Sequence, residues 1–153
     1  MVQMRWNVNY RLRRFVHWLS RQQGTPGYKA RGLAIGVFCG CFPLFGLQTL
    51  LGLALASHCR GNHLLAVSGT WISNPITYAP LYWFNYRVGS FLLGHSHLLH
   101  GFSELSWDNI VSQGWVFVTR LIVGSTIVGS FCAFVVGFCV YFGLKKISSR
   151  IKF

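Results

Sequence analysis

The sequence predicts an all-α integral membrane protein, and three observations lead there. Of 153 residues, 52% are hydrophobic and only 10% are charged, well below the roughly one quarter charged of a soluble domain. The charge is lopsided, with 14 Lys and Arg against two acids, Glu104 and Asp108. The apolar residues fall into long charge-free runs, and two of these are interrupted by proline beside amide and hydroxyl groups. A chain this short makes one membrane domain, 1–153. Its expected parts are an amphipathic interfacial N-terminal helix, two proline-broken segments, kinked or re-entrant, and one long C-terminal transmembrane helix.

The first element spans 5–22. At 100° per residue, Val8, Leu12, Phe15, Val16 and Leu19 share a face. Arg13, Arg14, His17 and Arg21 oppose them, a pattern suited to the surface of an anionic membrane. Thr25, Pro26 and Gly27 end it with a turn signal.

The second element spans 32–59. As one helix it would measure roughly 42 Å against a hydrocarbon core of about 30 Å. Pro43 lacks a backbone donor and clashes with the preceding turn, so a break is expected at Pro43 to Gly46. Ahead of it, Gly32, Gly36 and Gly40 recur every four residues, which lets another helix approach closely, within the chain or from a partner. Ala54 and Ala56 resemble a signal-cleavage site. The 31-residue basic region ahead and Pro43 inside the apolar run fit a signal peptide poorly.

The third element spans 61–94. Asn74 and Pro75 break it, flanked by Ser73 and Thr77. A helix resumes at Tyr78 with Pro80 in its first turn, where proline is tolerated. Two proline breaks with hydrogen-bonding neighbours resemble the paired broken helices of transporters.

The last helix is expected over 106–144, with the span at 121–144, 24 residues without charge. Ser125, Gly129, Ala133 and Gly137 form a small-residue stripe on which another helix should pack.

Seven of the basic residues lie in the first 31 positions and four in the last nine. Basic residues at both ends place both termini in the cytoplasm of a multi-pass inner-membrane protein, with an even number of crossings and Arg120 on the far side. Their position beside membrane segments also argues against nucleic acid as a partner. The expected partners are membrane lipids, anionic by charge complementarity, and a second copy or another membrane protein through the small-residue faces.

Catalysis is not expected, since Glu104 and Asp108 stand outside the polar breaks and make no buried acid–base pair. Five cysteines, four of them within apolar runs, read as packing residues. His95, His97 and His100 form the nearest thing to a metal cluster and read as interfacial histidines. Neither a metal nor another cofactor is therefore expected.

The candidate site is the polar set in the breaks: Gln48, Thr49, Asn62, Thr70, Asn74 and Thr77. Unpaired in lipid, each would cost free energy. One reading is mutual repair of the backbone freed by Pro43, Gly46, Pro75 and Pro80. The other is a binding site, where half-helix N-termini attract an anion and Arg60 and Arg87 add full charge. In that reading the protein binds or translocates an anionic lipid or polyprenyl-phosphate amphiphile. The alternative is a non-catalytic membrane adaptor, or a subunit of an envelope or glycolipid assembly complex.

These residues also carry a resemblance. Phe42, Pro43, Gly46, Gln48 and Thr49, then Asn62, Gly69, Thr70, Asn74, Pro75, Thr77 and Pro80, resemble the motifs of the bacterial membrane family called domain of unknown function 2062, over about residues 26–94. His63 departs from the small residue or proline expected after the asparagine. The resemblance implies a bacterial integral-membrane protein without assigned chemistry. Some members are fused to glycosyltransferase-like domains, which implies a link to lipid-carried sugars, although these residues hold no such domain.

Overall fold

The computed structural model describes residues 14, 18–19, 21–44, 46–94 and 107–150, with side chains of the last helix from Gly114 to Ile147. Among these residues all regular structure is helical: α1 (Pro26–Gly40), α2 (Leu47–His58), α3 (His63–Thr70), α4 (Tyr78–Leu93) and α5 (Trp107–Arg150). The basic segment 5–22 lies largely outside the described residues. Of it, Arg14, Trp18, Leu19 and Arg21 are helical, and Leu19 is buried with Leu33, Leu65 and Leu144.

Local chemistry sets most of the helix ends. Thr25 caps α1, its Oγ1 accepting from the Tyr28 amide, and Pro26 follows at the first helical position. Asn62 caps α3 by accepting from the Leu65 amide. At the end of α2 the Gly61 amide donates to the Ala56 carbonyl and the Arg60 amide to Ser57, with Arg60 at φ 51°. That is a Schellman turn with arginine in the left-handed position usually held by glycine.

The 44-residue α5 is the spine. It contains the stretch Gly114–Ile147, the one described helix long and apolar enough to cross a membrane, and little of that stretch is buried by the rest of the chain. Helix α1 runs antiparallel to its C-terminal half: Gly27 lies by Tyr141, Ala34 by Gly137, and Phe38 and Cys41 by Gly129. Helix α4 runs antiparallel to its N-terminal half, with Asn85 by Gly124 and Gly89 by Arg120. The two therefore follow one another along α5, and the α2–α3 hairpin is inserted between them.

That hairpin folds back over α1. Helix α2 returns antiparallel, so that Gly52 reaches Cys39 and Gly61 reaches Gly32; α3 runs parallel, so that Asn62 meets Gly32 and Ala66 meets Gly36. Contact is backbone to backbone. A Cβ on Gly36 would strike the Ala66 carbonyl oxygen, and one on Gly69 would come within 2.9 Å of the Gly36 carbonyl carbon. The Gly32, Gly36 and Gly40 ladder is thus seated on α3 of the same chain. Similarly, Gly129 and Gly137 of the stripe are seated on α1, while Ser125 is fully buried.

Candidate functional site

The two polar breaks lie at one level, near the middle of α5. The first turn, 41–46, follows α1. The second, 71–77, follows α3. Thr70 at the end of α3 approaches Thr49 at the start of α2, Oγ1 to Oγ1 at 3.3 Å. Since the Thr70 hydroxyl donates to the Val67 carbonyl at 2.7 Å, Thr49 supplies the proton between them.

The second turn satisfies itself. Asn74 Oδ1 accepts from the Ile76 amide at 3.0 Å and the Thr77 amide at 3.1 Å. Thr77 Oγ1 accepts from the Asn74 amide and donates to the Ile72 carbonyl, both at 2.8 Å. Ser73 Oγ donates to the Thr70 carbonyl. Pro75 takes the position in this loop from which no backbone donor is needed.

The first turn is satisfied only in part by nearby backbone, the Phe42 and Leu44 carbonyls accepting from the Leu44 and Gln48 amides. Pro43 ends α1 and leaves its last carbonyls to find donors elsewhere. Asn85 of α4 is completely buried, and its Nδ2 donates to the Cys41 carbonyl and to Ser125 Oγ, both at 2.9 Å. The Tyr82 hydroxyl reaches the Phe42 carbonyl at 3.3 Å. One amide therefore joins α1, α4 and α5. Among the described residues its own Oδ1 has no partner, and neither does the buried Oε1 of Gln48 beside the same turn.

The sequence-derived set is thus divided. Gln48, Thr49 and Thr70 come together at the break level. Asn62 caps α3 at the opposite end of that helix, and its own amide donates to the Tyr28 carbonyl. Arg60 and Arg87 are exposed and stand at different levels, roughly 25 Å apart along α5 at 1.5 Å per residue. Arg87 lies over the Trp83 ring, 5.2 Å from its centroid. Arg120 is buried and donates to the Gly94 carbonyl at the end of α4. Pro80 occupies the first turn of α4.

Asn85, Tyr82, Gly89 and Gly124 escaped the sequence reading. The available signal was an isolated amide at Asn85 within the aromatic run from Tyr82 to Tyr86. Gly89 and Gly124 fit no four-residue ladder.

A second grouping forms where α1 begins, α2 ends, α3 begins and α5 nears its end. Arg31, Arg60, Lys145 and Lys146 are exposed there, together with His58 and His63. The His63 Nε2 pairs with Ser57 Oγ at 2.7 Å across the α2–α3 turn. Lys29 is buried at this end, and desolvation holds its ammonium below the usual range. No acidic side chain is among those described. Between α1 and α5 this end also holds an apolar cleft of about 260 Å³, lined by Gly27, Ala30, Arg31, Ala34, Gly137 and Tyr141.

The geometry defines an all-helical protein among the described residues, with one helix of membrane-spanning length and apolarity that suggests membrane association, two polar turns meeting at its middle and a cationic end. The chain belongs to the domain of unknown function 2062 family, described as uncharacterised protein conserved in bacteria, whose model matches residues 10–152. The match therefore extends well beyond the motif-bearing residues, to the C-terminal half of α5. No curated protein and no solved structure matches the chain.

Proposed function

We propose that this is a multi-pass bacterial inner-membrane protein that binds an anionic lipid, a phospholipid or a polyprenyl phosphate, at its cationic end. The carrying observation is the convergence of Arg31, Arg60, Lys145 and Lys146 at one end of a structure whose neighbouring helices expose Leu51, Leu55, Leu64, Phe138 and Phe142. Cations beside apolar surface match the anionic cytoplasmic leaflet, where each Lys or Arg contributes about 1 kcal/mol. On this reading the basic end faces the cytoplasm and both termini lie there. Helices α1 and α2 form a re-entrant hairpin, α3 with α4 makes a broken crossing, and α5 makes the second crossing. Non-helical backbone at 41–44 and 71–77 then lies at membrane depth; α4 and α5 cover the first turn in part, while the second, with Asn74, Pro75 and Ile76 exposed, bonds its amides within its own loop.

The polar breaks contribute less to binding than their composition implies. Asn74, Thr77 and Thr70 spend their hydrogen bonds on nearby backbone, so the cationic end is the better binding element. The adaptor alternative drew on the Gly32 ladder and the Ser125 stripe as docking faces. Both are occupied within the chain, which weighs toward lipid.

Native mass spectrometry of protein extracted into lipid-retaining polymer discs tests this. Enrichment of one anionic or prenyl-phosphate lipid is expected, and it should be lost when Arg31, Arg60, Lys145 and Lys146 all become Gln. Bulk lipid composition around the wild-type protein would reject the proposal.

A further inference from the structure

We infer that the cleft between α1 and α5 holds one acyl chain of the bound anionic lipid, with Arg31 and Lys145 taking its phosphate. The inference rests on the lipid reading above and adds to it a place and a stoichiometry of one chain.

The cleft exists because the facing residues of its two helices are glycine and alanine. Gly27, Ala30 and Ala34 on α1 face Gly137 on α5, and Tyr141 closes one side. Its lining surface is apolar throughout, so a polar occupant would lose its hydration without replacement. At about 260 Å³ it is smaller than the roughly 300–1,000 Å³ that compact ligands occupy, which suits one linear chain. Its residues lie on elements that reach the cationic end, so a chain laid along it brings its headgroup there.

Charge fixes which amphiphile. Arg31 is exposed at the cleft, its Nε held by the Gly27 carbonyl at 3.3 Å, which leaves the terminal nitrogens of the guanidinium for a phosphate. Lys145 Nζ sits 5.9 Å from the centroid of the Tyr141 ring that lines the cleft. A zwitterionic headgroup brings the same phosphate but also a cation, which meets Arg31 and Lys145 with no acid among the described side chains to offset it, so a net-anionic lipid is favoured. A packed protein helix is a poorer occupant, because helices meet at 8–10 Å between axes and α1 already approaches α5 through Gly137.

Photo-labelling of the full chain in bilayer discs of phosphatidylglycerol and phosphatidylcholine tests the inference. The probes are the two lipids, each with a diazirine on its acyl chain. Adducts of the phosphatidylglycerol probe should concentrate on residues 27–34 and 137–141. Gly27→Leu should remove them, because a Cβ there meets only Tyr141, at 3.9 Å, and fills the cleft without striking backbone. Gly143→Leu, where a Cβ meets nothing within 4 Å, should leave them intact. Arg31→Gln should lower cleft labelling by the anionic probe about fivefold and by the zwitterionic probe less, narrowing the difference between them. Thermal melting of each variant checks that the fold is kept. Equal labelling by both probes, or cross-links from a photoreactive residue at Ala34 to residues 5–22 in place of lipid, overturns the inference. Bulk anionic enrichment that persists without cleft adducts overturns the cleft and leaves the general lipid reading standing. Loss of that enrichment in the wild-type protein removes both.

Discussion

The two proline turns face the same problem and solve it over different distances. At 71–77, Asn74 and Thr77 bond the backbone of their own loop. At the first turn the Phe42 and Leu44 carbonyls take the nearby Leu44 and Gln48 amides, but the Cys41 carbonyl depends on Asn85, 44 residues away in sequence, and Tyr82, 40 away, adds a second donor at Phe42. A turn repaired locally can form before its surroundings do. A turn repaired from a distance exists only as part of the assembled helices, and it ties the end of α1 to the seat of α4 on α5. The difference matters most in lipid, where water cannot supply the missing partner.

Removing the distant repair should cost most. Asn85→Leu takes the donor from both the Cys41 carbonyl and Ser125 and should destabilise the fold by about 3 kcal/mol, read by thermal or denaturant unfolding in detergent. Asn74→Ala should cost less. The reverse order would show that the two turns do not differ in the way described.

Thr77→Val comes next, at about 1–2 kcal/mol for the loss of a donor and an acceptor in one loop. Its effect should stay local: amide exchange accelerates over 72–78, while the amides of α1 keep their protection. Spread of the effect into α1 would mean that the second turn is coupled as widely as the first.

Tyr82→Phe should cost about 1 kcal/mol. Combined with Asn85→Leu the losses should fall short of additive, because both side chains serve the same helix end. A double-mutant cycle giving strict additivity would separate them into independent contacts.

The smallest effect is expected at the Schellman turn after α2, which is repaired by backbone alone and serves as a reference for the other two. Arg60→Gly should raise stability by about 0.5 kcal/mol by relieving the left-handed strain, partly offset by the freer unfolded chain. The same variant should weaken anionic-lipid enrichment. A stabilised variant with unchanged enrichment would free Arg60 from any role at the cationic end.

How much of this was legible in the sequence follows from the range of each interaction. Pro43 and the Asn74–Pro75 pair marked the turns because proline acts on its own backbone and the residue before it. Tyr78 was marked as the start of α4 because Pro80 restricts the first helical turn. The Gly32 ladder was legible as a close-contact face, since spacing alone aligns it on a helix. Its partner, Ala66 and Gly69, depends on how α3 is placed, and spacing does not carry that. Asn85 is the clearest case. Nothing around it distinguishes an amide bound for the Cys41 carbonyl from one facing water, because its meaning lies on another helix. Arg87 and Arg60 were paired in sequence space by charge, yet the register of α4 on α5 sets them far apart.

The end-to-end arrangement of α1 and α4 on a shared spine has a consequence in time. During synthesis at about 5–20 residues per second, the donors that finish the end of α1 emerge some seconds after it, and the spine that aligns both helices comes last. Until then the buried Cys41 carbonyl lacks its Asn85 donor. On the proposed inner-membrane reading, early intermediates are expected to wait at the insertion machinery, and a chain arrested before Ser125 should be cleared by membrane proteases while the full-length product persists.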